Sequence, residues 1–400
     1  MTTQMTQHTT GVPFTIQIAE DVLSDLQQRL QRTRWPDEIE GAGWDYGTNR
    51  EYLQQLVAYW RDGYDWRKQE RLLNRFPQFQ ASVDGFRLHF LYLKGQGPRP
   101  LPLILSHGWP GSFFEFYKVV EPLAYPARHG GVAEDAFDVV VPSLPGYGFS
   151  ERPHARGMNV ARIAELFVRL MREELGYQRF GAQGGDWGSG ITARLGAAYP
   201  GHVIGIHLNF VLMDPTELLR QDHERLGGLG DSPELQRWRA QRQHYDQDEG
   251  AYSRIQGTRP QTLAYGLADS PVGLAGWIVE KFRAWSDCQG EVERAFSKDE
   301  LLTNIMLYWV ANTINSSMRL YYEFFHAPAA TSGRVEVPTG VAAFPYDIVT
   351  PVRSLAEQTY NIQHWSDMPA GGHFAALEQP VALVEDIRAF FRPLRPGFGR

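Results

Sequence analysis

The chain has 400 residues, 43% of them hydrophobic and 13% aromatic, with a formal net charge of −7. That length fits one large α/β domain with insertions, or two domains. The acidic balance and the lack of a basic patch exclude nucleic acid as the expected partner, and one cysteine, Cys288, excludes an internal disulfide.

The first ten residues, Met1–Thr10, are polar and expected to be disordered. They carry no charged stretch followed by an apolar run, so no signal peptide is expected. No segment approaches the roughly 18–20 apolar residues of a membrane span, so no membrane anchor is expected and a cytoplasmic enzyme is the default. Val22–Arg32 reads as a helix with Asp21 as its N-cap. The rest of segment 13–82 is rich in Trp and Tyr (Trp35, Trp44, Tyr46, Tyr52, Tyr59, Trp60, Tyr64, Trp66) and reads as an extension packed on the rest.

From there strand-like and helical runs alternate. Arg87–Lys94 alternates as a strand, and Leu101–Ser106 is an apolar run ending at His107-Gly108-Trp109-Pro110-Gly111. Phe137–Pro142 is another, ending at Leu144-Pro145-Gly146-Tyr147-Gly148. Tyr177–Ala182 is a short strand, Ile191–Tyr199 a helix stopped by Pro200, and His202–Asn209 a further strand. The pattern predicts an α/β fold, a mostly parallel sheet flanked by helices. It breaks between about Met213 and Arg334, where the text is helical and charged and Leu301–Phe325 reads as one long amphipathic stretch. Strands resume at Val335–Val341 and Tyr360–Trp365, and a helix follows at Val381–Phe391.

Four units follow: an extension over 1–82, a first core part over 83–212, a helical cap over 213–334 and a second core part over 335–400. A helical insertion in a continuing sheet sits over the strand ends and makes a pocket at the junction. Phe113, Phe149, Trp277, Phe282, Trp285 and Trp309 are aromatic candidates for that pocket or for the core. The glycine-rich stretch Leu226–Gly230 lacks the strand before and helix after of a dinucleotide loop. Metal-site spacings are missing too, so neither cofactor nor metal is expected.

The chemistry centres on Gly184-Gly185-Asp186-Trp187-Gly188. This is a G-x-S-x-G nucleophile elbow with a carboxylate in the nucleophile slot. An aspartate there can displace at carbon and form an enzyme ester, given a strained or activated substrate such as an epoxide or an alkyl halide. Clearing the ester needs a histidine base near neutral pKa and donors for the oxyanion. The backbone N–H groups of Trp187 and Trp109 are the candidate donors. His107 reads as a structural residue holding that loop. The base is His373, in Gly371-Gly372-His373-Phe374 after a strand. The acid must lie between the two. Asp347 follows the Val335–Val341 strand, and Asp367 is a rival only six residues before His373.

His107-Gly108-Trp109-Pro110, the Gly-x-Asp-Trp-Gly elbow and Gly371-Gly372-His373-Phe374-Ala375-Ala376-Leu377-Glu378 together resemble the microsomal-type epoxide hydrolases, juvenile-hormone and fungal members included. The resemblance covers roughly 12–392 and implies an α/β-hydrolase fold with an N-terminal extension. It implies Asp186 as nucleophile, His373 as base and Asp347 as its acid, with a small-molecule epoxide as substrate. It also implies two tyrosines that bind the epoxide oxygen, at Tyr252 and Tyr321, with Tyr245 open as an alternative to the first. Trp109 and Trp187 would line the substrate pocket as well as serve the oxyanion. A homodimer is a family-level expectation. A haloalkane dehalogenase using the same three residues is the alternative activity. A binding protein on a dead hydrolase scaffold is the third reading, opposed by the complete triad.

Overall fold

The computed structural model describes residues 11–211, 232–327 and 333–395. Met1–Thr10 and the glycine-rich stretch at 226–230 lie outside the described residues.

Among the described residues nine strands form one sheet: β1 (Val12–Phe14), β2 (Gln78–Val83), β3 (Phe86–Leu93), β4 (Leu101–Ser106), β5 (Phe137–Pro142), β6 (Phe180–Gly184), β7 (Val203–Leu208), β8 (Val335–Ala343) and β9 (Tyr360–Asp367). Their spatial order is β1-β2-β3-β5-β4-β6-β7-β8-β9. The first three strands pair antiparallel and lead antiparallel into β5. From β5 across to β9 every pairing is parallel. Parallel strands are covered on both faces, so they read as unbroken apolar runs. Every residue of β5, Phe-Asp-Val-Val-Val-Pro, is buried.

In chain order the helices are α1 (Glu20–Gln31), α2 (Arg50–Asp62), α3 (Trp66–Leu73), α4 (Val120–Ala124), α5 (Val160–Arg169) and α6 (Trp187–Ala198). Between β7 and β8 come α7 (Pro233–His244), α8 (Ala251–Thr258), α9 (Pro260–Asp269), α10 (Pro271–Ala284), α11 (Lys298–Ala311) and α12 (Ile314–His326). Three more follow: α13 (Arg353–Thr359), α14 (Ala375–Glu378) and α15 (Pro380–Phe391). Phe391 of α15 meets Phe137 of β5 edge-on at 5.8 Å and closes one face of the sheet.

The N-terminal helices grip the excursion between β7 and β8. Tyr59 donates to Asp299 at 2.7 Å, Gln69 to the same carboxylate at 3.0 Å, and Thr48 to the Gly276 carbonyl at 2.6 Å. Helix α11 opens on a complete capping box between Ser297 and Glu300. Such a cap is worth about 1 kcal/mol. The exposed Arg29–Asp269 pair at 2.7 Å contributes less, because solvent screens it.

Three local expectations are corrected. Helix α1 begins at Glu20 with Ala19 as N-cap and no side-chain cap bond, so Asp21 lies inside the first turn, where its charge favours the helix dipole. The stretch Leu301–Phe325 is two helices, because Asn312 turns left-handed at φ 49° and ends α11. Asparagine tolerates that conformation better than most residues. Residues 12–14 and 78–83 are strands of the main sheet, and β2 straddles the boundary drawn at residue 82.

Candidate active site

Asp186 sits at the turn between β6 and α6, with φ 49° and ψ −130°. A non-glycine residue in that region is strained and held by its surroundings. The flanking glycines make the turn sterically possible. A Cβ on Gly184 would lie 2.2 Å from the Gly188 carbonyl oxygen, and one on Gly188 would lie 1.8 Å from that of Ser106. The loop after β4 closes over the carboxylate, and a Cβ on Gly108 would meet Asp186 Oδ1 at 2.0 Å.

The two carboxylate oxygens of Asp186 have different partners. The Trp109 N–H donates to Oδ1 at 2.8 Å. His373 Nε2 lies 3.2 Å from Oδ2. Trp187 opens α6, so its N–H is a first-turn donor without an intrahelical partner. His107 is buried and ties two loops together. Its Nδ1–H donates to the Gly108 carbonyl at 3.1 Å, and its Nε2 accepts from the Leu144 N–H at 3.2 Å. Burial pushes its pKa down to about 4, so the ring is neutral.

His373 follows β9 in a loop held by backbone bonds. Its N–H donates to the Trp285 carbonyl at 2.8 Å. Glu378 accepts from the N–H groups of Gly372 and Phe374, both at 3.0 Å, and Asp287 accepts from Gly371 at 3.0 Å. His373 Nδ1 meets Asp347 Oδ1 at 2.7 Å, and both side chains are buried. The rival Asp367 is exposed at the end of β9 and accepts from the Trp365 indole instead. Burial disfavours a charged His373 ring, yet Asp347 and then Asp186 hold its pKa well above the usual imidazole range.

The opposite wall is aromatic and comes from the helices between β7 and β8. Tyr252 of α8 stacks on Trp109 with ring centres 5.1 Å apart. Tyr321 of α12 meets Trp187 edge-on at 4.7 Å and Tyr252 at 5.8 Å. Burial raises both phenols well above the usual tyrosine range, so both keep their O–H. Tyr245 stands behind, its hydroxyl 3.4 Å from that of Tyr252. Tyr322 faces away and stacks on His326 at 4.0 Å.

Of the six aromatic candidates, Trp285 is the one whose ring reaches this cluster, 5.2 Å from His373 and 5.1 Å from Tyr252. Phe282 packs behind the histidine loop against Phe374 at 4.0 Å. Phe113 and Phe149 pack around His89, Trp277 donates to Gln256, and Trp309 lies under Arg29. Sequence reasoning missed the α11 residues that grip the Trp109 loop. Asn304 donates to the Pro110 carbonyl at 2.8 Å, and Tyr308 to that of Gly111 at 2.6 Å. No motif marks them, since both read as ordinary helix positions. Glu378 lay in a quoted motif, but only its backbone partners reveal its role.

A mostly parallel sheet with a carboxylate at its strand–helix elbow, and a histidine and an acid at later strand ends, defines an α/β hydrolase. Residues 12–116 match the family model "Epoxide hydrolase N terminus", and residues 102–284 match "alpha/beta hydrolase fold". The chain is 46% identical to a Stigmatella aurantiaca protein with a provisional epoxide hydrolase name (96% of this chain, 85% of that one). It is 39% identical to Epoxide hydrolase 1 of Sus scrofa (94% and 88%). The crystal structure of juvenile hormone epoxide hydrolase from Bombyx mori superposes with a TM-score of 0.87 at 31% identity, covering 96% of this chain and 94% of that one. The chain belongs to the epoxide hydrolase family and is a hydrolase. Among the described residues no helix is long and apolar enough to cross a membrane.

Proposed function

We propose that the protein opens epoxides to vicinal diols in two covalent steps. Asp186 Oδ2 attacks one ring carbon and the C–O bond on that carbon breaks. The oxygen leaves as an alkoxide, bound by the Tyr252 and Tyr321 phenols and protonated by one of them. The product is an ester on Asp186. In the second step His373 takes a proton from water, and the water oxygen adds to Asp186 Cγ. Charge then develops on Oδ1, which accepts from the Trp109 N–H, with the Trp187 N–H as the second donor in this reading. The ester bond breaks, the departing alkoxide takes the proton from His373, the remaining water proton passes from Asp186 to the phenolate, and the diol departs.

The observation that carries this reading is the division of labour on Asp186, one oxygen 2.8 Å from the Trp109 N–H and the other 3.2 Å from His373. The electrostatics support the order of steps. With both carboxylates charged, the His373 pKa is held high. Esterification neutralises Asp186 and removes one of those charges, so the pKa falls and the ring sheds its proton, leaving it free to take one from water. Asp347 keeps the ring oriented throughout. In this reading residues 213–334 act as the cap, residues 1–82 brace it, and a cytoplasmic setting and a homodimer rest on composition and on the resemblance.

Haloalkane dehalogenation stays as a second reading for one reason. The indole N–H groups of Trp109 and Trp187 are buried without a partner among the described residues, and a halide takes such donors. The two facing phenols favour an alkoxide instead. Halide release from a bromoalkane probe, with no diol from a styrene-oxide-type probe, would reverse the ranking.

The test is His373→Gln. It should still alkylate and then stall, so an ester adduct should accumulate by intact mass. Sustained turnover by this variant would refute the base role.

A further inference from the structure

The two steps above leave one inward-facing carboxyl without a task. Glu115 lies in the short 3-10 turn Phe113–Phe116, just past the Trp109 loop. Its side chain folds back over Gly111, where a built Cβ would lie 1.3 Å from Glu115 Oε1. The missing side chain at 111 is what makes room for the carboxyl. Asn304 and Tyr308 clamp the carbonyls of Pro110 and Gly111, which fixes the loop on which the carboxyl rests.

Glu115 keeps part of its surface open while its carboxyl lies deep among protein atoms. That combination is expected of a group on the wall of an internal cavity. Burial pushes its pKa up to about 8, with His373 opposing the rise and Asp186 adding to it. The group is therefore largely uncharged at neutral pH and does not repel Asp186. It lies within electrostatic reach of both the nucleophile and the base, and of the Tyr147 and Tyr308 phenols.

Ester hydrolysis needs a water placed against Asp186 Cγ with one O–H aimed at His373 Nε2. A water held by one partner is free to rotate, and ordered buried waters make about three hydrogen bonds. The rings flanking His373, Trp285 at 5.2 Å and Phe210 at 5.4 Å, offer no good acceptor. We propose that the Glu115 carboxyl is a positioning residue that fixes the water His373 activates, by accepting its second O–H. The proposal rests on the two-step reading. In the step itself water gives one proton to His373 and its oxygen to Cγ. The Cγ–O(alkyl) bond breaks, the departing alkoxide takes the proton back from His373, and the second water proton, left on the Asp186 carboxyl, returns to the tyrosine phenolate formed in the first step. Glu115 ends unchanged.

The test separates the two steps by rapid quench and intact mass, with a styrene-oxide-type epoxide as probe. Glu115→Leu removes the acceptor. Its ester should decay roughly tenfold to a hundredfold more slowly, while its alkylation stays within about threefold of wild type. Glu115→Gln is uncharged but keeps an acceptor oxygen, and it should restore most of the decay rate. Gly111→Ala leaves Glu115 in place but evicts its carboxyl, so it should reproduce the Leu defect. It also carries the test should Glu115→Leu fail to fold. Equal slowing of both steps, or unchanged decay in both Glu115→Leu and Gly111→Ala, would overturn the proposal. No ester in the wild-type burst would instead sink the two-step reading, and this proposal with it.

Discussion

The two walls of the site are built by different physics. The Asp186 wall is made of strand ends, and its geometry is backbone geometry: a strained φ of 49° and neighbours that only glycine can provide. The tyrosine wall is made of helices, and its geometry is side-chain packing, Tyr252 on Trp109 and Tyr321 on Trp187. The first wall tolerates almost no local change. The second stays in place because α11 and the N-terminal helices hold it. In the proposed reading, nucleophile and base are set by the sheet, whereas binding of the epoxide oxygen depends on how the helices dock.

If the walls serve different steps, substitutions should separate by step. The largest effect is expected for Asp347→Asn, on the sheet side. Ester hydrolysis should fall by roughly ten-thousandfold, as when a histidine loses its orienting carboxylate. Asp347 is the largest influence raising the His373 pKa. Its loss lowers that pKa, so the acid limb of the hydrolysis rate should move to lower pH. A limb moving to higher pH would break the electrostatic argument.

Next comes the double variant Tyr252→Phe with Tyr321→Phe, on the helical side. Alkylation should slow by roughly a hundredfold to a thousandfold, as when charge-stabilising donors are removed from a transition state. Decay of ester already formed should change little. A defect confined to decay would mean that the tyrosines serve the other step, and the comparison between walls would collapse.

The smallest effect is expected for Ser297→Ala, which removes the capping box of α11. Thermal unfolding should report a loss of about 1 kcal/mol. Neither rate should move appreciably. A large kinetic effect would show that the helical wall is poised less firmly than its packing implies.

The same contrast governs what the sequence revealed. The elbow, the His107–Pro110 loop and the approach to His373 were legible because tight turns restrict residue type. Asp347 was legible from chain order, but only its 2.7 Å bond to His373 separates it from Asp367. The tyrosines came from family resemblance, since a tyrosine on a helix looks the same in a core as in a site. Tyr252 stands apart from Tyr245 because it alone of the two stacks on Trp109. The break at Asn312 escaped notice because no glycine or proline marks it. Strands β1 and β2 were hidden for another reason. β1 has only three residues, and β2, although Gln-Phe-Gln-Ala-Ser-Val alternates polar and apolar, falls at the end of a segment read whole as an extension.

The central claim is that an oxygen of Asp186 becomes an oxygen of the product. A single turnover in heavy-oxygen water, with enzyme in excess over a styrene-oxide-type probe, tests it directly. The account predicts that the first diol carries no label, because its new oxygen comes from Asp186, and that the label enters the enzyme instead. Labelled diol from the first turnover, with unlabelled enzyme, would contradict it.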